Sequence, residues 1–99
     1  MIHMPHYVVL VNWTDQGIRN VKDTIKRAGA AHSMAGKLGG KFDLYYTLGE
    51  YDLVALADMP NDEAMMQFLL QLGNLGNVRT KTLKAWTQDE AEKVVAKLP

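Results

Sequence analysis

The sequence predicts an α+β fold: one antiparallel sheet of four strands in the order β-α-β-β-α-β, with a further helix at the C-terminal end. Three observations predict it. Apolar runs of strand length alternate with stretches whose apolar residues recur at helical spacing. Two of the four runs are almost wholly apolar, whereas Lys41, Asp43, Arg79, Lys81 and Lys84 all fall on the other two. That is the division expected between central strands and charged edges. Finally, a Gly-Glu pair separates two of the runs at hairpin distance.

The first strand is "HYVVLVNW" (6–13), short and rich in β-branched residues. "TDQG" follows as a helix start, with Thr14 or Asp15 as the cap. From Ile18 a stripe at helical spacing runs through Val21, Ile25, Ala28, His32, Ala35 and Leu38, and Gly39-Gly40 ends it. "KFDLYYTL" (41–48) alternates with period two and is the second strand; "YDLVALAD" (51–58) is the third. Pro60 and Asn61 open the second helix, "DEAMMQFLLQL", closed by Gly73. "NVRTKTLKAW" (77–86) is the fourth strand. "TQDE" (87–90) is a Thr-x-x-Glu capping box, so "AEKVVAKL" is a short last helix. This order is the split-βαβ, or ferredoxin-like, arrangement, in which strands 1 and 3 are central. No linker, repeat or low-complexity segment divides the chain, so residues 1–99 are expected to form one domain.

A two-residue type II′ loop at Gly49-Glu50 sets the hairpin register, because that turn wants glycine first. Leu48–Tyr51, Tyr46–Leu53, Leu44–Ala55 and Phe42–Ala57 then share an apolar face. Thr47–Asp52, Tyr45–Val54, Asp43–Leu56 and Lys41–Asp58 share the other, mixed one. A slip of one residue would scramble this sorting. The first strand sorts likewise, Tyr7, Val9, Val11 and Trp13 against His6, Val8, Leu10 and Asn12. Since the mixed face also carries Val8, Leu10, Val54 and Leu56, and the helices can cover only one side, self-association through the sheet is expected. A two-fold dimer is the simplest form.

Composition excludes several function classes. The formal charge balances at zero, which argues against a nucleic-acid partner, whose binding needs a basic face. There is no cysteine, hence no disulfide, thiol chemistry or thiolate metal site. No stretch approaches a membrane span and no signal pattern opens the sequence, so a cytoplasmic protein without membrane partners is expected. No Ser/His/Asp, His-x-x-x-His or cysteine-based set supports nucleophilic or zinc chemistry. "GNLGN" (73–77) lacks the Lys-Ser/Thr of a phosphate loop.

Among candidate site residues, Asp52 stands out. With Thr47, Tyr45 and Asn12 it either forms the polar end of a cleft between two sheets or makes a cross-strand hydrogen bond that steadies the hairpin. Glu50 is expected to point to water, and Tyr51 to pack or lie at the surface. His32, on the stripe of the first helix, is expected to be a partly buried, satisfied histidine. Met65, Met66, Phe68, Leu69, Leu70 and Leu72 are wider than one buried stripe, and imply core plus a second packing surface. In "MIHMPH", a free amine, two amides and the third-position His3 form a square-planar Cu(II) or Ni(II) pattern, although a flexible terminus explains the same residues and no metal site is assigned.

Three stretches in order, "YVVLVNWTDQGIRNVKDT", "TLGEYDLV" and "LGNVRTKTLKAWT", resemble the GYD domain family, from about Tyr7 to Leu98. The Gly-x-Tyr-Asp element of its name is Gly49, Tyr51 and Asp52 here. The resemblance implies a ferredoxin-like fold related to the dimeric α/β barrels, which pair two sheets around a central cavity. It brings no catalytic residue set, and the cofactor is left unknown. Related barrels include small monooxygenases, isomerases, haem proteins and ligand-sensing modules, but that is analogy of fold. The only candidate haem ligand in such a cavity is His6. The functional expectation is a cytoplasmic homo-oligomer that binds a small, partly apolar molecule between its sheets. Asn12, Tyr45, Thr47 and Asp52 would supply polar contacts, with His6 joining them. The alternatives are a cofactor-free monooxygenase- or isomerase-like enzyme with Asp52 or His6 as general base, and an assembly module with no ligand.

Overall fold

The computed structural model describes residues 4–99, so the Met1–His3 copper pattern lies outside the described residues. The elements are β1 (His6–Trp13), α1 (Asp15–Arg19), a 3-10 turn (Val21–Asp23), α2 (Thr24–Lys37), β2 (Lys41–Tyr46), β3 (Leu53–Asp58), α3 (Asp62–Asn74), β4 (Val78–Ala85) and α4 (Gln88–Val95). All strand pairs are antiparallel and the sheet order is β2-β3-β1-β4, the ferredoxin-like α+β arrangement expected. The two apolar strands are central and the two charged ones are the edges.

Side chains alternate across the sheet. Tyr7, Val9 and Val11 of β1, Leu53, Ala55 and Ala57 of β3, and Phe42 of β2 are buried beneath the helices. Onto them α2 lays Ala31 and Ala35, and α3 lays Met65 and Phe68. Phe68 is fully buried, its ring edge-on to Phe42 at 5.2 Å between centroids. The opposite face carries His6, Val8, Leu10 and Asn12 of β1, aligned with Val54, Leu56 and Asp58 of β3 and with Arg79, Lys81, Leu83 and Ala85 of β4. There Leu56 remains 49% exposed, Leu83 54% and Tyr45 59%.

Side-chain caps start α1, α3 and α4 where the sequence places them. Thr14 accepts from the Gly17 N–H and Asn61 from the Ala64 N–H. Thr87 and Glu90 form the reciprocal capping box of α4, none of whose residues is buried. Gly39 follows α2 with φ +84°, left-handed as a helix end requires. Helix α3 continues through Gly73 to Asn74, and it is Gly76, also at φ +84°, that turns the chain toward β4.

Two expectations about the first helical region are corrected. The stretch from Asp15 to Lys37 is not continuous: Arg19 ends α1, and Asn20 folds its amide back on the Gln16 carbonyl before a 3-10 turn. Nor is the inward stripe the one that passes through Ile25 and His32. Ile25 is 72% exposed, and the side facing the sheet is made by Ala31, Met34, Ala35 and Leu38. Alanines bring the helix axis close to the sheet, so the small residues face in and the larger Ile25 faces out. His32 is exposed rather than partly buried, and its ring meets the edge of Phe42 at 5.5 Å. On α3, Met66 and Leu70 are exposed, leaving an apolar surface outside the core.

Candidate functional site

The β2–β3 ladder has the register read from the turn, Tyr46–Leu53 through Lys41–Asp58. It stops two pairs short of the predicted strand ends, and Asp52 is the reason. Its backbone N–H turns to β1, donating to the Val11 carbonyl at 3.0 Å and to Asn12 Oδ1 at 3.3 Å, while its own carbonyl accepts from the Thr47 N–H at 2.9 Å. The carboxylate follows the same direction, and Oδ2 accepts from the Trp13 N–H at 3.0 Å. The Thr47 hydroxyl donates to the Tyr51 carbonyl at 2.6 Å. Asn12, Thr47 and Asp52 therefore meet, as the sequence suggested, in a clasp that ties the hairpin to β1. Of the two readings of Asp52, this geometry is that of the cross-strand hydrogen bond.

Beyond the clasp the turn departs from the predicted faces. Gly49 has φ +105° and Glu50 is exposed, as expected. Leu48, however, is fully exposed and does not close the apolar face. The Tyr51 ring lies instead near the Lys81 ammonium, 6.0 Å from its centroid, a cation–π arrangement with the far edge strand. The bend at Asp52 breaks the alternation on which the prediction rested.

Tyr45 stands apart from the clasp, on the open face opposite Val54. His6 lies at the other end of β1, where the register sets it between Asp58 and Ala85. Its Nδ1 is 2.5 Å from Asp58 Oδ1, and its Nε2 is 3.5 Å from Glu90 Oε1, a group that also accepts the Thr87 N–H. The Asp58 bond raises the His6 pKa above its ordinary value; partial burial opposes the rise, and the charges of Asp58 and Glu90 add to it. The imidazolium is thus favoured in the folded state. Its stabilisation is fully present below the unfolded pKa of about 6.5 and is lost as pH rises through the higher folded value. We expect urea denaturation to show stability falling as pH rises above about 6.5, by less than about 1 kcal/mol for so shallow a pair. In His6→Gln this part of the decline is expected to vanish; an unchanged profile would show that the pair contributes nothing.

A second polar set, missed in the sequence, lies under α3. The Tyr7 hydroxyl donates to Asp62 Oδ1 at 2.5 Å, and Lys84 Nζ to Oδ2 at 3.0 Å. Burial first, then the Asp62 bond, pushes the Tyr7 pKa up, so it remains a neutral donor. The Tyr7 bond, then that from Lys84, holds Asp62 below the usual carboxylate range. The set joins the first turn of α3 to β1 and β4.

A cavity lies on the helix-covered side of the sheet, between α2, α3 and β1. Its volume is about 270 Å³, and none of Asn12, Tyr45, Thr47, Asp52 or His6 lines it. No group of three potential metal-ligating side chains occurs among the described residues. No helix among them is long and apolar enough to cross a membrane.

The GYD domain model matches residues 7–95. No curated protein shows significant similarity to the chain. Among solved structures, TTHA0845 from Thermus thermophilus is 27% identical, with a TM-score of 0.54 over 85% of this chain and 95% of that one. MtbAldR is similar with a TM-score of 0.65 at 13% identity over 85% of this chain; the chain spans about half (52%) of its length. PA3566 from Pseudomonas aeruginosa gives 0.50 at 13% identity, over 88% of this chain and 99% of that one. The last two likenesses are of fold alone.

Proposed function

The chain belongs to the GYD domain family, and from that premise we propose that it acts as a homo-oligomer in which two copies pair the open faces of their sheets around a site for a small, partly apolar molecule. One observation carries this reading. Val8, Leu10, Val54, Leu56 and Leu83 form an apolar field on the face opposite α2 and α3. The same field on a second copy covers it most simply, because a two-fold contact is complementary to itself. Tyr45 and His6 stand at opposite ends of this face and offer the ligand a hydroxyl and an imidazolium. Asn12, Thr47 and Asp52, occupied with one another and with backbone, lie beyond Tyr45 at the end of the face away from His6.

The Asp58–His6 pair favours a second reading, a cofactor-free isomerase- or monooxygenase-like enzyme in the same enclosure. Asp58 fixes the ring through Nδ1 and favours its protonated form, which can act as a proton donor.

Light scattering of the purified chain tests the association on which both readings rest. The wild type is expected at the mass of two or more chains, and Leu56→Asp at the mass of one with an unchanged far-UV spectrum. A monomeric wild type overturns the proposal. Native mass spectrometry of protein from its source then shows whether a small molecule travels with the assembly; an assembly that carries none, however gently prepared, favours a pure assembly module.

A further inference from the structure

The cavity on the covered side of the sheet is walled by Val11, Trp13, Met34, Leu53 and Leu72, an almost purely apolar lining. The part of α2 that lines it is built of alanine (Ala28, Ala30 and Ala31), whose short side chains leave space that longer ones would fill. A void of 150 Å³ holds benzene, so the 270 Å³ here has room for roughly ten non-hydrogen atoms.

The chamber has a polar mouth. Arg27, Ala30 and Asn77 line both the chamber and a shallower basin outside it, to which Asn20, Asp23 and Lys26 also contribute. Two cations and one acid leave the basin net positive. The Arg27 guanidinium is fixed in place, Nη1 donating to the Asn20 carbonyl at 2.7 Å and Nη2 to the Gly17 carbonyl at 3.2 Å. Those bonds use two of its five N–H donors. Lys26 makes no ion pair among the described residues. An apolar chamber behind a fixed guanidinium is complementary to one kind of molecule, an anion with an apolar body.

We propose that this cavity binds an amphipathic organic carboxylate, its tail of about seven or eight carbons enclosed between α2, α3 and the sheet and its carboxylate held at the mouth by Arg27 and Lys26. The site is complete within one chain and separated by the sheet from the face assigned to the second copy, so it stands or falls independently of the association proposed above. The volume of about 270 Å³ accommodates a tail of this length, which replaces empty space with apolar contacts.

The test is a titration of the full chain with octanoate, and in parallel with octanol, followed by amide shifts in two-dimensional NMR. Saturable shifts are expected at Met34, Leu53, Leu72 and Asn77, with octanoate binding about 10-fold more tightly than octanol. Arg27→Met is expected to remove that preference and leave octanol binding in place. Lys26→Gln, which removes an exposed charge without touching the Arg27 bonds, is expected to weaken octanoate several-fold. Ala31→Leu fills the chamber and is expected to abolish binding of both. Absence of saturable shifts overturns the proposal, as does equal binding of both probes by the wild type. Shifts confined to Tyr45, Leu56 and Leu83 also overturn it, and place the ligand on the open sheet face instead.

Discussion

Replacing Phe68 by alanine is expected to destabilise the fold by about 3–5 kcal/mol and to lower the melting temperature by roughly 15–30 °C. Phe68 has no exposed surface and is the largest side chain so enclosed. It projects from α3 into the apolar cluster and meets Phe42 edge-on, an orientation that sets the positive edge of one ring against the negative face of the other. Truncation leaves a hole that the sheet, held by ladders on both sides of β3, cannot collapse to fill. A domain of this size has on the order of 5–15 kcal/mol in all, so the variant is expected to be marginal at physiological temperature. Phe68→Leu restores most of the volume and is expected to cost less than half as much. Urea denaturation of both variants checks the series; a loss below about 1 kcal/mol for the alanine variant would contradict the packing described.

The second large effect is expected from adding one methyl group, in Gly17→Ala. A Cβ built on Gly17 falls on the backbone carbonyl of Asn77, with the Trp13 ring 3.2 Å away on the other side. That carbonyl cannot step aside freely, because it accepts the Thr14 N–H at 3.1 Å. Around it the Thr14 hydroxyl donates to the Gly76 carbonyl and the Gln16 amide to the Leu75 carbonyl. The turn after β1 and the loop before β4 are thus laced together at the point where only glycine leaves room. Overlap and lost hydrogen bonds together are expected to cost about 2–4 kcal/mol. Gly29 supplies the internal comparison. It lies within α2 with open space where its Cβ would stand, so Gly29→Ala is expected to stabilise by about 0.5–1 kcal/mol. The same chemical change at the two positions is expected to move the melting temperature in opposite directions. Destabilisation at Gly29, or none at Gly17, would refute this account.

The legible part of the fold was what local chemistry dictates. Thr14, Asn61 and Thr87 announce helix starts because a side-chain oxygen there satisfies a backbone N–H, and the register of β2 against β3 follows from alternation and one glycine. The break at Asn20 and the outward turn of Ile25 were not legible, because periodicity counts large residues whereas close packing of α2 on the sheet favours small ones. At the site, proximity of Asn12, Thr47 and Asp52 was readable from the hairpin. The direction of the Asp52 carboxylate was not, since it depends on a backbone bend. The Asp58 partner of His6 could have been found by carrying the register one strand further, from β3 to β1. No residue pattern announces the chamber at Arg27, which arises from how far apart two helices lie.

The place of β1 at the centre of the sheet has a consequence for the chain during its synthesis. β1 emerges first of the strands, yet its two neighbours are β3 and β4, and the last of its ladder partners is Ala85. At 5–20 residues per second, the interval from Trp13 to Ala85 lasts roughly 4–14 s. Throughout it "HYVVLVNW", which carries no Lys, Arg, Asp or Glu, has the composition of a segment prone to pair with its like on another nascent chain. The same centrality makes the sheet slow to form, because its longest-range ladder closes last. Crowded translation of this message is therefore expected to leave the first strand open to mispairing until Ala85 has emerged.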